Sequence, residues 1–97
     1  MIKKQTEAEI ETNLLQLNHK TVSPWKIKEG KLSKHFKFAN FVEAFAFMTK
    51  VAIQAEKSDH HPEWSNVYNQ VEVNLTTHEV DGLSERDFAL AKLIDTL

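Results

Sequence analysis

The sequence contains no cysteine and only two glycines and two prolines among its 97 residues. The lack of cysteine excludes disulfide bonds and thiolate zinc sites, and it suits a reducing compartment. No apolar run approaches the ~20 residues that a membrane-spanning helix needs. The first residues include lysines, but no apolar segment follows them, so we expect no signal peptide. A cytoplasmic location is the expectation.

The sequence also lacks a large excess of charge of either sign. Twelve basic and 14 acidic residues give a net charge of −2, which provides no broad attraction to nucleic acid or anionic lipid. There is no glycine-rich or lysine-rich phosphate motif. The length predicts a single domain, residues 1–97, near the small end of what can bury a core unaided, so self-association would add burial.

Three capping signals mark the starts of helices, because a polar side chain precedes each apolar stripe and a carboxylate follows three residues later. The pairs are Thr6 with Glu9, Asn40 with Glu43, and Ser84 with Asp87. The first two predict helices over residues 7–18 and 41–57, and the third predicts a C-terminal helix. The second helix is apolar on more than one side, so we expect it to contact the sheet and a further surface, such as another subunit.

Alternating apolar and polar residues predict two hairpins between the helices. The first turns at residues 29–30 and directs Leu32, Phe36 and Phe38 inward. The second joins a strand beginning near residue 64 to a strand over residues 71–78, with a turn at residues 69–70. The predicted order is α-β-β-α-β-β-α, an α+β domain whose four-stranded, mostly antiparallel sheet carries three helices on one face.

Five lysines give the first hairpin a basic side that is expected to be solvated. They are Lys26, Lys28, Lys31, Lys34 and Lys37. His19 and His35 are expected to be surface residues.

Three of the five histidines fall within one short span: His60 and His61 follow the second helix, and His78 ends the last predicted strand. Imidazole can both give and take protons at neutral pH, so these residues are candidates for acid/base catalysis. The carbonyl end of the helix and nearby carboxylates favour a protonated ring. Antiparallel pairing is expected to return His78 to the neighbourhood of the pair. The nearby carboxylates are Glu56, Asp59 and Glu63.

The residues alone leave alternatives open. The adjacent histidines fit a solvated helix cap about as well as a proton-transfer site, and zinc is a third option, although adjacent loop histidines seldom bind one ion comfortably. Trp64 fits a core aromatic or the wall of a ligand pocket. Asp87 fits a capping-box carboxylate better than a catalytic group.

Three segments together resemble the pterin-4a-carbinolamine dehydratase family. They are EKSDHHPEWSNVYNQV at residues 56–71, LTTHE at 75–79 and GLSERD at 82–87. Residues 45–57 resemble the central helix of that family, so the similarity covers nearly the whole chain. The resemblance implies a four-stranded antiparallel sheet with three helices, and a dimer formed through sheet edges or a tetramer completed through helices.

The implied activity is that of a hydro-lyase. It converts 4a-hydroxytetrahydrobiopterin to quinonoid dihydropterin plus water, and so recycles the cofactor of aromatic amino-acid hydroxylases. The pterin is the substrate, and no metal, flavin or nucleotide cofactor is implied. A hydroxylase is a candidate partner. The alternative function is a non-catalytic interaction module, since some animal members promote dimerisation of a homeodomain transcription factor.

The resemblance also implies roles for single residues. His60, His61 and His78 match the catalytic set, with His60 and His78 as acid and base and His61 as the pterin-holding histidine. The other matched positions are the substrate contacts Asp59, Thr76, Thr77 and Glu79 and the supporting residues Glu56, Pro62, Trp64 and Asp87. Many members carry asparagine at position 59 and others serine at position 76, and either difference could shift affinity.

Overall fold

The order of helices and strands follows the capping and alternation signals. The computed structural model describes residues 1–97. Its elements are α1 (Glu7–Asn18), β1 (Lys26–Lys28), β2 (Lys31–Lys37), α2 (Phe41–Ser58), β3 (Glu63–Val67), β4 (Gln70–Leu75), a 3₁₀ turn (His78–Val80) and α3 (Glu85–Ile94). The predicted α-β-β-α-β-β-α order is confirmed.

The helix caps form as predicted. At the start of α1, the backbone N–H of Thr6 donates to Glu9, and the backbone N–H of Glu9 donates to the Thr6 hydroxyl. The α3 capping box of Ser84 and Asp87 is likewise complete. The side chain of Asn40 accepts a hydrogen bond from Glu43 at the start of α2. These bonds satisfy N–H groups that a helix start leaves unpaired.

The four strands form one antiparallel sheet in the order β1-β2-β4-β3. Leu32 of β2 lies opposite Leu75 of β4, and Trp64 of β3 lies opposite Val73. Because paired residues share a face, these apolar side chains all point to one side. The opposite side, here called the open face, carries the alternate residues. They include Lys31, Ser33, His35, Glu63, Ser65, Glu72 and Asn74.

The three helices supply the other half of the core. A cluster of 13 buried apolar side chains joins the strands to α2 and α3, and partly buried residues of α1 pack against it. This confirms the expected α+β architecture. The core positions of α2 are Ala44, Phe47, Val51 and Ala55. The outer side of this helix leaves Phe41, Val42, Phe45 and Ile53 exposed. No helix is both long and apolar enough to cross a membrane.

Lys34 departs from the expectation of a solvated basic side. It lies opposite Val73, so it points into the core, and it is only 8% exposed. Its Nζ atom lies 2.9 Å from Oδ1 of Asp95 and faces the rings of Trp25 and Phe36. The carboxylate and the aromatic faces compensate the buried ammonium, while the aliphatic stem packs as an apolar group.

Two details of the second hairpin also differ from the prediction. The turn is formed by Tyr68 and Asn69, one residue earlier than expected, with Tyr68 at a positive φ of 50°. The strand β4 ends at Leu75, and His78 begins the 3₁₀ turn instead of closing the strand. Thr77 still pairs with Gly82 in an isolated bridge, so the chain turns away from the sheet just before His78.

Candidate active site

Of the two adjacent histidines that follow α2, one is buried and the other is exposed. Asp59 caps the helix in the left-handed conformation, with φ 50° and ψ 43°. The backbone N–H of His60 then bonds back to the carbonyl of Ala55, which closes the helix C-terminus. As a result the ring of His60 turns inward and is buried, whereas His61 stays exposed.

His60 is held by a buried carboxylate. Its Nε2 atom lies 2.6 Å from Oδ1 of Asp87, whose side chain is completely enclosed. The other carboxylate oxygen accepts hydrogen bonds from the Thr77 hydroxyl at 2.8 Å and the Ser84 backbone N–H at 3.0 Å. Asp87 therefore serves both as the capping-box residue of α3 and as the partner of His60.

This contact determines which nitrogen of His60 is available. A carboxylate oxygen only accepts hydrogen bonds, so Nε2 is the nitrogen that donates to Asp87. Nδ1 has no hydrogen-bond partner in the protein, and it is not completely buried. Nδ1 is therefore the nitrogen that can reach a ligand.

His78 has a different environment, because its ring is 81% exposed. Its Nε2 atom lies 3.1 Å from Oε2 of Glu63, and the other oxygen of Glu63 contacts the ammonium of Lys31. The hydrogen bond from Lys31 lowers the pKa of Glu63, and His78 acts in the same direction. Glu63 is thus a carboxylate between the ammonium of Lys31 and the imidazole of His78.

Two sets of contacts bring the His78 segment against the loop after α2. Thr77, next to His78, bonds to Asp87, which holds His60. His78 itself contacts Glu63, which follows His60 by three residues. His61 lies in the same loop, with its Nε2 2.9 Å from Glu56 of α2.

The other expected site residues divide into exposed and supporting positions. Asp59 and Glu79 are exposed, and Glu79 faces Arg86 at 3.5 Å. Thr77 is only 1% exposed, and its hydroxyl contacts both Asp87 and Ser84. Its hydroxyl is thus occupied within the protein, and the substrate contact that the resemblance implies for Thr77 stays a prediction. The partly buried residues around the loop are Pro62, Trp64 and Thr76.

Sequence reasoning overlooked two features. Lys31 was assigned to a solvated face, and the contact of Glu63 with His78 was not foreseen. Strand parity offered a signal, because Lys31 and Glu63 fall on the same face of the sheet near the end of β4.

No three histidine and carboxylate side chains come together in an arrangement that could hold a metal ion. A cleft of about 470 Å³ lies beside Leu17, Phe38 and Ile94, and none of the three site histidines lines it.

The fold is α+β, and three of its histidines each contact a carboxylate. Residues 3–97 match the sequence model of the family described as pterin 4 alpha carbinolamine dehydratase. The chain belongs to this family, a family of dehydratases (hydro-lyases), as its motifs indicated.

Relatives from several bacteria support this assignment. The chain is 50% identical over 95 residues to a relative from Burkholderia cenocepacia, covering 98% of this chain and 90% of the relative. It is 48% identical to one from Paraburkholderia xenovorans, covering 100% and 98%. Both are named as pterin-4-alpha-carbinolamine dehydratases. A crystal structure of a transcriptional coactivator/pterin dehydratase from Brucella melitensis superposes with a TM-score of 0.86 at 39% identity, covering 96% of each chain.

Proposed function

We propose that this protein dehydrates 4a-hydroxytetrahydrobiopterin to quinonoid dihydropterin and water. The observation that carries the proposal is that His60 and His78 each have Nε2 on a carboxylate, while Thr77, next to His78, bonds to the same Asp87 that holds His60. His60 and His78 are the acid/base pair in this proposal. The reaction would recycle the cofactor of aromatic amino-acid hydroxylases, which makes such a hydroxylase the proposed metabolic partner in the cytoplasm.

The chemistry needs two proton transfers and no resident cofactor. The bond between C4a and its hydroxyl oxygen breaks, and a proton delivered to that oxygen makes the leaving group water. Electron density from a ring nitrogen replaces the lost bond, and a base removes a proton from the ring. One protonated and one neutral imidazole supply both steps, each contributing about 10²- to 10⁴-fold.

The exposed side chains around the pair are proposed to hold the pterin. His61 is positioned for this because it sits beside His60 but contacts only Glu56, itself exposed. Asp59, Thr76 and Glu79 flank the same loop and turn. We therefore expect His61 to affect the affinity for the pterin more than the rate of the chemical step.

Pterin binding gives a direct test of this function. We expect a dihydropterin to quench tryptophan fluorescence saturably, because Trp64 follows the site loop within four residues of His60. The His61→Ala variant should raise Kd and KM about tenfold with little change in kcat, which corresponds to loss of one or two hydrogen bonds. Fluorescence titration and steady-state kinetics measure these quantities, with His19→Ala as the control.

The absence of saturable quenching would favour the alternative function, an interaction module. That alternative draws on the exposed apolar side of α2 and on the coactivator named for the Brucella melitensis relative. Pterin binding without turnover would support the binding part of the proposal and contradict the catalytic part.

We also propose that the protein is a homodimer or homotetramer. The exposed apolar side chains of α2 form a stripe on a helix whose opposite side is already buried, and such stripes usually mark an interface. The edge strand β3 offers a second surface, since its outer backbone groups have no strand partner.

Disrupting the α2 stripe should lower the molecular mass in solution. Phe45 is 54% exposed, and Phe45→Glu places a charge where a partner would bury the ring. Sedimentation velocity should show a smaller assembly for this variant. Leu15→Glu, at a residue of α1 that is 75% exposed, should leave the mass unchanged. A monomeric wild type would contradict the proposal.

A further inference from the structure

Glu63 makes the only polar contact that the ring of His78 has within the protein. A ring that is 81% exposed can otherwise occupy several staggered rotamers. Proton transfer depends on orientation to within a fraction of an ångström. Whatever holds His78 therefore matters to any reaction at this site.

The sheet register explains why Glu63 and Lys31 meet beside His78. Glu63 begins β3 and lies opposite Asn74, close to the end of β4. Lys31 begins β2, one residue before Leu32, which lies opposite Leu75. Both side chains project from the open face and flank the end of β4, which leads directly to His78.

We infer that Glu63, anchored by Lys31, is a positioning residue that orients His78 for proton transfer. The inference rests on the proposed dehydratase function and extends it to residues to which the family resemblance assigned no role. Glu63 contacts the ring at Nε2, which leaves Nδ1 without a contact in the protein. This is the same arrangement that Asp87 creates at His60.

The charge state of Glu63 supports this role. The hydrogen bond from Lys31 lowers the pKa of Glu63, so the carboxylate remains ionised across the range in which imidazole titrates. An ionised carboxylate only accepts hydrogen bonds, so this contact favours the form of His78 that carries a proton on Nε2.

The open face also contains a matched control. Glu72 is ion-paired with Lys28 at 3.0 Å, and the hydrogen bond from Lys28 likewise lowers the pKa of Glu72. This pair has the same chemistry and lies on the same sheet, but it contacts none of the three site histidines. Substitutions at Glu72 and Lys28 thus measure what an open-face ion pair contributes to the fold alone.

The test compares Glu63→Gln with Glu72→Gln by steady-state kinetics and thermal unfolding. We expect Glu63→Gln to lower kcat about 5- to 20-fold, with KM and Tm close to the wild-type values, because only the orientation of one ring is lost. Glu72→Gln should leave kcat unchanged. Lys31→Met should lower kcat by a smaller factor of about two to three, and Lys28→Met should not.

A double-mutant cycle shows whether Glu63 acts through His78. In a His78→Ala background, Glu63→Gln should cause no further loss, since the ring it orients is gone. Wild-type protein with turnover and a Glu63→Gln variant as active as Glu72→Gln would overturn this inference alone. An additive loss in the His78→Ala background would also overturn it. A wild type without any turnover would instead overturn the proposed function, and this inference with it.

Discussion

Combined replacement of His60 and His78 is expected to reduce turnover to the uncatalysed background. Each single replacement should lower kcat about 10²- to 10⁴-fold, because each removes one of the two proton transfers. His78→Ala should hardly alter stability, since its ring is exposed. His60→Gln is the better partner for it than alanine, because its amide can still donate to Asp87. Kinetics of dehydration measures the effect.

The shape of the pH profile adds a second readout. The wild type should show a bell-shaped dependence of kcat/KM on pH, because one histidine must be protonated and the other neutral. His60→Gln and His78→Ala should each remove a different limb, which assigns the acid and the base. His35→Ala, a surface histidine on the open face, should keep the full profile. Unchanged activity in the double variant would refute the assignment of both residues.

Asp87 should have the largest effect on stability of any residue in the site. Asp87→Ala leaves the Thr77 hydroxyl, the Ser84 N–H and His60 without their shared partner inside the protein. Breaking a buried pair of this kind costs about 3–5 kcal/mol, a large part of the stability of a small domain. Urea unfolding, followed by circular dichroism, should show the loss.

Asp87→Asn separates the structural part of this role from the catalytic part. The asparagine oxygen can still accept from Thr77 and Ser84, so much of the stability should remain. Its amide then faces His60 with a donor, which forces Nε2 to accept and moves the ring proton to Nδ1. We expect kcat to fall about 100-fold or more, within the range of a lost general acid or base. A folded Asp87→Asn variant with wild-type kcat would show that turnover does not depend on how Asp87 holds the ring of His60.

Local signals in the sequence predicted the helices and strands closely. The capping boxes at Thr6 and Ser84 work through bonds between residues three apart, so nothing distant can change them. Alternation in β2 likewise identified its buried side. These features depend on neighbours along the chain, and the chain alone contains that information.

Lys34 shows where this reasoning fails. Its parity with Leu32 and Phe36 placed it inward, but its charge suggested solvent. The choice was decided by Asp95, a residue 61 positions away whose carboxylate compensates the ammonium. No local pattern reveals such a partner.

The candidate site likewise combines features that the sequence predicts with features that depend on distant residues. The sequence by itself determined the chemistry available, because the spacing of His60, His61 and His78 and the long motif around them define the family. Only the tertiary structure decided the geometry: Asp87 lies 27 residues from His60, and Glu63 contacts both His78 and Lys31, neither of which is its neighbour along the chain. These contacts depend on sheet register and on how α3 packs beside the end of α2. The identity of a reacting group is local to the chain, but its orientation is set by residues that only folding brings near.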